Sequence, residues 1–124
     1  MFTAWMSHEP NIPASSGSII PFGHVVVNIG NGFSAATSVF TSPYDGAYMF
    51  FVHADISADY RAFELRKNGH TVVACHNDGN MRRIACGTTM SLHAGDEVTV
   101  VHAIANTGVV DAGYETAFSG FRIG

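Results

Sequence analysis

The residues best equipped for chemistry lie in a polar stretch, "CHNDGNMRR". His76, Arg82 and Arg83 could together receive an anion. A guanidinium offers a planar fork of donors that suits a carboxylate or phosphate on a glycan or lipid headgroup. The plainer alternative is a solvated loop that only ends a hairpin, and both readings stay open. Seven histidines are present in 124 residues. His53 and His102 fall in apolar, strand-like runs, His70 and His93 in turns. No two show HxH or HExxH spacing, so scattered imidazoles are expected rather than a metal centre. Their charging near pH 6.5 would add pH-dependent assembly or ligand release as a second reading.

No catalytic pattern emerges. There is no G-x-S-x-G elbow. The carboxylates Asp55, Asp59, Asp78, Asp96 and Asp111 are scattered at turns, with nothing to pair them as a glycosidase requires. The expectation is a protein that is not an enzyme. Cys75 and Cys86 lack the companions of a zinc site. In an oxidising compartment they would close a loop and stabilise by about 3 kcal/mol. In a reducing one they would be small core residues.

The elements that must position these residues are strands. No window repeats apolar residues at helical spacing between caps. β-branched and aromatic runs alternate instead with turn clusters, as in a sandwich or barrel. "FTAWMSH" opens with a short aromatic strand, and "PNIPASSGSIIP" (10–21) reads as a loop or broken edge segment. "HVVVNIG" ends in a turn where Asn31-Gly32 would supply positive φ. Pro43-Tyr44-Asp45-Gly46 has reverse-turn chemistry. "AFELRK" and "TVVAC" flank Asn68-Gly69, a strong hairpin signal. "TTMSL", "VTVVHAIA" and "TAFSGFRIG" complete the set, with "NTGVVDAGYE" as a loop. The chain, 1–124, is expected to be one domain.

The run "AYMFFVHADI" poses a problem. Tyr48, Phe50, Val52 and Ala54 point one way, Met49 and Phe51 the other, so the strand is apolar on both faces. Only 13% of residues are charged, about half the usual ~25%. Both facts are met if neighbouring subunits cover part of the surface. Met49 and Phe51 are then interface residues. Trp5, which no strand pattern places, would pack against a neighbouring chain near the termini.

The net charge of −4 and the lack of any basic run argue against nucleic acid and anionic membranes. No apolar run approaches the ~20 residues of a membrane span. The first residues, "MFTAWMSHEP", lack the basic start and apolar stretch of a signal peptide.

Read in order, "VVVNIGNGF", "FTSPYDGAYMF", "ELRKNGHTVV", "SLHAGDEVTV" and "FSGFRI" resemble the globular-head domain of complement C1q, within the C1q/tumour necrosis factor superfamily. The likeness runs from about Phe2 to Ile123. It implies an all-β, ten-stranded jelly roll of two five-stranded sheets, assembled as a homotrimer. Phe33, Phe40, Tyr48, Phe50, Phe118 and Phe121 fall on framework positions expected to pack the core. Some relatives hold calcium near the trimer axis with acidic loop residues. Asn77 and Asp78 match the first pair of that pattern, while Arg82 and Arg83 replace the later acid. Calcium is therefore an optional ion here, and no cofactor is required.

The resemblance implies a secreted, non-catalytic recognition protein of innate immunity. It would bind carbohydrate, lipopolysaccharide or other microbial and cell-surface patterns. His76, Asn77, Asp78, Arg82 and Arg83 are its candidate ligand residues. Two other readings stand beside it: a cytokine- or adipokine-like trimer for a cell-surface receptor, and a structural trimerisation module.

Overall fold

The computed structural model describes residues 1–6, 12–13, 19–55, 62–76, 83–102, 109–110 and 113–124. Every regular element in them is a strand. They are β1 (Phe2–Met6), β2 (Ile12–Pro13), β3 (His24–Asn28), β4 (Phe33–Ser34), β5 (Val39–Thr41) and β6 (Gly46–Asp55). The rest are β7 (Ala62–Lys67), β8 (His70–His76), β9 (Arg83–Leu92), β10 (Glu97–His102), β11 (Val109–Val110) and β12 (Gly113–Arg122). Ten of them form two five-stranded antiparallel sheets. The first has the order β3-β1-β12-β6-β9, the second β4-β5-β10-β7-β8, and β2 pairs with β11 apart from both. This is the expected jelly roll.

The two sheets face each other across an aromatic core. Phe2, Phe50 and Phe118 of the first sheet are fully buried, as are Phe63 and Leu65 of the second. Phe2 lies at the centre. Its ring stacks on Phe33 at 4.8 Å and on Phe40 at 5.1 Å, and meets Phe118 edge-on at 4.9 Å. Offset and edge-on pairs of this kind add to the burial of the rings. A residue one step from the chain start thus joins both sheets, because β1 lies inside the first sheet between β3 and β12.

Local sequence explains the hairpin between β7 and β8. Asn68 and Gly69 take φ of 51° and 82°, the left-handed pair that a two-residue turn requires. The β3–β4 turn departs from expectation. Gly30 and Asn31 carry the positive φ, at 88° and 56°, so the turn begins one residue earlier than the Asn31-Gly32 reading. The amide of Asn31 donates to Asn28 O at 3.2 Å. The Asn28 side chain donates to Phe33 O and accepts from Phe33 N, which leaves the early position as the one with satisfied polar groups.

Of the two readings of the proline-rich segment, its described residues fit the broken edge segment, with Ile12–Pro13 forming β2. Ile19 bridges Val101, the Ile20 amide donates to Val100 O, and Ile20 and Phe22 are completely buried. These two apolar side chains, on either side of Pro21, plug the core. "TTMSL" is only the end of β9, which begins at Arg83. Val109–Val110, expected within a loop, is strand β11, and His70 opens β8 rather than sitting in a turn.

Three turns lock together at one end of the sandwich. The Asn68 amide group donates to Asp96 Oδ1 at 3.1 Å, and its carbonyl accepts from Glu97 N at 2.9 Å. Ala94 N donates to Asp45 Oδ1, and Gly95 N to Ser42 O, both at 2.8 Å. The Asp96 carboxyl is held below its ordinary value by the His93 backbone N–H and by Asn68.

Candidate functional site

Strand alternation gives the first sheet an inner and an outer face. On β6, Tyr48, Phe50, Val52 and Ala54 turn inward and are buried. Met49, Phe51 and His53 turn outward. The strand is apolar on both sides, as its sequence indicates, and among the described residues only one side is covered.

Register aligns the outward residues into rows across the sheet. One row runs His24, Trp5, Ala117, His53, Ala85. The next runs Val27, Thr3, Ser119, Phe51, Gly87. A third runs Phe121, Met49, Thr89. None of these residues is Asp, Glu, Lys or Arg. The second sheet differs: there Glu64 Oε1 accepts from Arg66 Nε at 2.7 Å and from Thr71 Oγ1 at 2.8 Å. The Thr71 hydroxyl, and then Arg66, hold the Glu64 carboxyl below its ordinary value.

Within these three rows Phe51 is the most exposed large apolar side chain, at 43%. Its neighbours across the strands are small: Ser119 on one side and Gly87 on the other. A depression of about 330 Å³ lies beside it, lined by Phe51, Val52, His53, Ala85, Cys86 and Gly87. A large exposed ring lying over a glycine beside a hollow is well shaped to bury against another apolar surface.

Met49, Phe51 and Trp5, the expected interface residues, thus share one face. Trp5 is half-buried, with its ring stacked on His24 at 4.0 Å. Phe121 departs from its expected core role. It pairs with Met49 on the outer face and is 37% exposed. Its odd position in β12, opposite in phase to buried Phe118, puts it outside. Ala117, Ser119 and Gly87 were not among the residues expected on this face. Their signal is the lack of charge at alternate positions of "TAFSGF" and "IACGTTM".

The candidate ligand loop stands differently. Asn77, Asp78 and Arg82, on which the calcium and much of the anion reading rest, lie outside the described residues. His76 and Arg83 are described by backbone alone: His76 pairs with Ala62 at the end of β8, Arg83 with Asp55 at the start of β9. Cys75 and Cys86 form a disulfide with Cα atoms 6.1 Å apart. Since β8 and β9 are edge strands of opposite sheets, the bridge staples the sandwich at that edge and holds both ends of the 77–82 connection. Among the described residues no group of three metal-ligating side chains is gathered, and no helix is long and apolar enough to cross a membrane.

Two sheets of this order, with the aromatic framework at these positions, narrow the family sharply. A family model for the C1q domain matches residues 1–123. The chain belongs to the C1q domain family. It is 35% identical over 66 residues to human complement C1q tumor necrosis factor-related protein 5, a match covering 53% of this chain and 27% of that protein. The matched part is thus about a quarter of that relative's length. The globular domain of zebrafish complement 1qA superimposes with a TM-score of 0.80 at 20% identity, covering 98% of this chain and 95% of that one. The Eiger TNF structure from S. frugiperda gives 0.78 at 11% identity, covering 99% and 91%. At such identities the two structures share the fold of this C1q domain.

Proposed function

We propose that this C1q domain is a secreted, non-catalytic recognition module that works as a homotrimer. The observation that carries the reading is the three uncharged rows on the outer face of the first sheet, where exposed Phe51 lies beside a hollow. Burying each such side chain yields about 1.5–3 kcal/mol, and closed rotational symmetry repeats every contact. The disulfide supports an oxidising, extracellular setting. Ligand recognition is assigned to the stapled connection between β8 and β9, with His76, Arg82 and Arg83 meeting anionic groups of carbohydrate or lipopolysaccharide. Three copies on one particle turn weak sites into useful avidity.

A glycan and lipopolysaccharide array tests the ligand class. Saturable binding that falls at least tenfold in the Arg82→Ala/Arg83→Ala variant is the expected result. No binding to any array member sinks it. The TNF fold shared with Eiger favours one other reading, a trimeric ligand for a cell-surface receptor. Nanomolar binding to intact cells, together with a silent array, would be its signature.

A further inference from the structure

A second cleft, of about 320 Å³, opens at the end of the sandwich where β3 turns into β4 and β5 bends into β6. We propose that it binds a small aromatic carboxylate, independently of the trimer and of the β8–β9 connection. The cleft is lined by Ile29, Phe40, Pro43, Tyr44, Tyr48 and Arg122, among others. Phe40 and Tyr48 form a buried floor, while Ile29 and Tyr44, both more than 60% exposed, stand at the rim.

Three observations set the occupant's chemistry. The first is the wall, built from aromatic and aliphatic surface, which favours a ring. The second is size: the volume falls at the lower end of the roughly 300–1,000 Å³ of small-molecule pockets, enough for a ring carrying a short acid. The third is charge. The Arg122 guanidinium lies over the Tyr44 ring, 5.8 Å from its centroid. Among the described residues it pairs with no carboxylate. Gly124 O shares with Arg122 Nε the space over Gly46, each 2.6 Å from where a Cβ would sit there. No ion pair joins them, which leaves the guanidinium free to meet a ligand at the mouth of an apolar cleft. A carboxylate would take its fork of donors, while the attached ring lies between Tyr44 and the floor.

The cleft is also held in shape before any ligand arrives. Tyr44 O accepts from Ser42 Oγ at 2.7 Å and from the Tyr48 hydroxyl at 2.8 Å, which fixes the bend that carries Tyr44. The amides of Ile123 and Ala47 donate to Ala47 O and Gly124 O, at 2.7 and 2.9 Å, which fixes the strand end that carries Arg122. Binding therefore orders little that is not already ordered.

The test compares 3-phenylpropionate with its neutral amide, 3-phenylpropanamide, by amide chemical shifts of the full chain. The acid should shift Ile29, Gly30, Ala47 and Tyr48 saturably in the low millimolar range, about tenfold more tightly than the amide. Arg122→Gln should remove that preference and leave the spectrum otherwise folded; Arg122→Lys should keep part of it. Equal binding of acid and amide to the native chain overturns the proposal. So does an absence of saturable shifts by about 10 mM, or shifts confined to residues away from the cleft.

Discussion

The Phe51 ring lies directly over Gly87, its partner across β6 and β9: a Cβ on Gly87 would come within 2.8 Å of the ring. Only glycine lets the ring settle there, beside the hollow rather than upright. A side chain on the sheet's outer face is thereby positioned by its neighbour's lack of one, an arrangement that costs β propensity at Gly87. A glycine here suits a face shaped for contact.

Phe51→Asp is expected to dissociate the proposed trimer while leaving each chain folded, since Phe51 is not part of the core. Sedimentation velocity at micromolar concentration reads the change from a three-chain to a one-chain particle. Persistence of the larger particle would remove the outer face from the assembly. Phe50→Asp, one residue away and wholly buried, should unfold the chain instead.

Phe2→Ala should destabilise the fold by about 3–5 kcal/mol, the range for truncating a buried Phe. Its ring touches partners from both sheets. Urea denaturation of the native and variant chains checks it, and a loss below about 1 kcal/mol would mean the stack closes without Phe2.

Thiol titration of the denatured, unreduced protein should find no free cysteine, because Cys75 and Cys86 are bridged. Reduction should then lower stability by about 3 kcal/mol, as expected for a short closed loop. An unchanged melting curve in reductant would show that β8 and β9 hold together without the staple.

Two carboxylates tie stability to acidity. Glu64 is depressed by Thr71 and then Arg66, Asp96 by the His93 N–H and then Asn68. A depressed carboxylate binds its proton more weakly in the folded chain than in the unfolded one. Its contribution is therefore complete above the ordinary carboxylate values near 4, and fades as pH falls through the lowered folded values. Chemical denaturation between pH 7 and pH 2 should show stability falling below about pH 4, and Glu64→Gln should flatten that fall. A native-like slope in the variant would assign the loss to other groups.

Much of this was legible in the chain. The Asn68-Gly69 hairpin, the inward set Tyr48, Phe50, Val52 and Ala54, and the outward pair Met49 and Phe51 follow from local backbone preference and period-two alternation. Those rules act over a few residues, so a few residues reveal them. Alternation also places Phe121 outside, yet its framework likeness pointed inward. The phase relative to Phe118 was the better guide.

Other features depend on distant segments meeting. That Cys75 can reach Cys86 requires β8 and β9 to be edges of opposite sheets on the same side. That Ile20 and Phe22 fill the core requires a gap beside β10. That Arg122 stands over Tyr44 requires the chain's end to return to the β5–β6 bend. Strand order and register decide these, and they minimise the energy of the whole chain at once. Composition and alternation dictate an all-β fold with a strand apolar on both sides; which residues come together on its outer face, and at the cleft, follows from long-range pairing that no local pattern encodes.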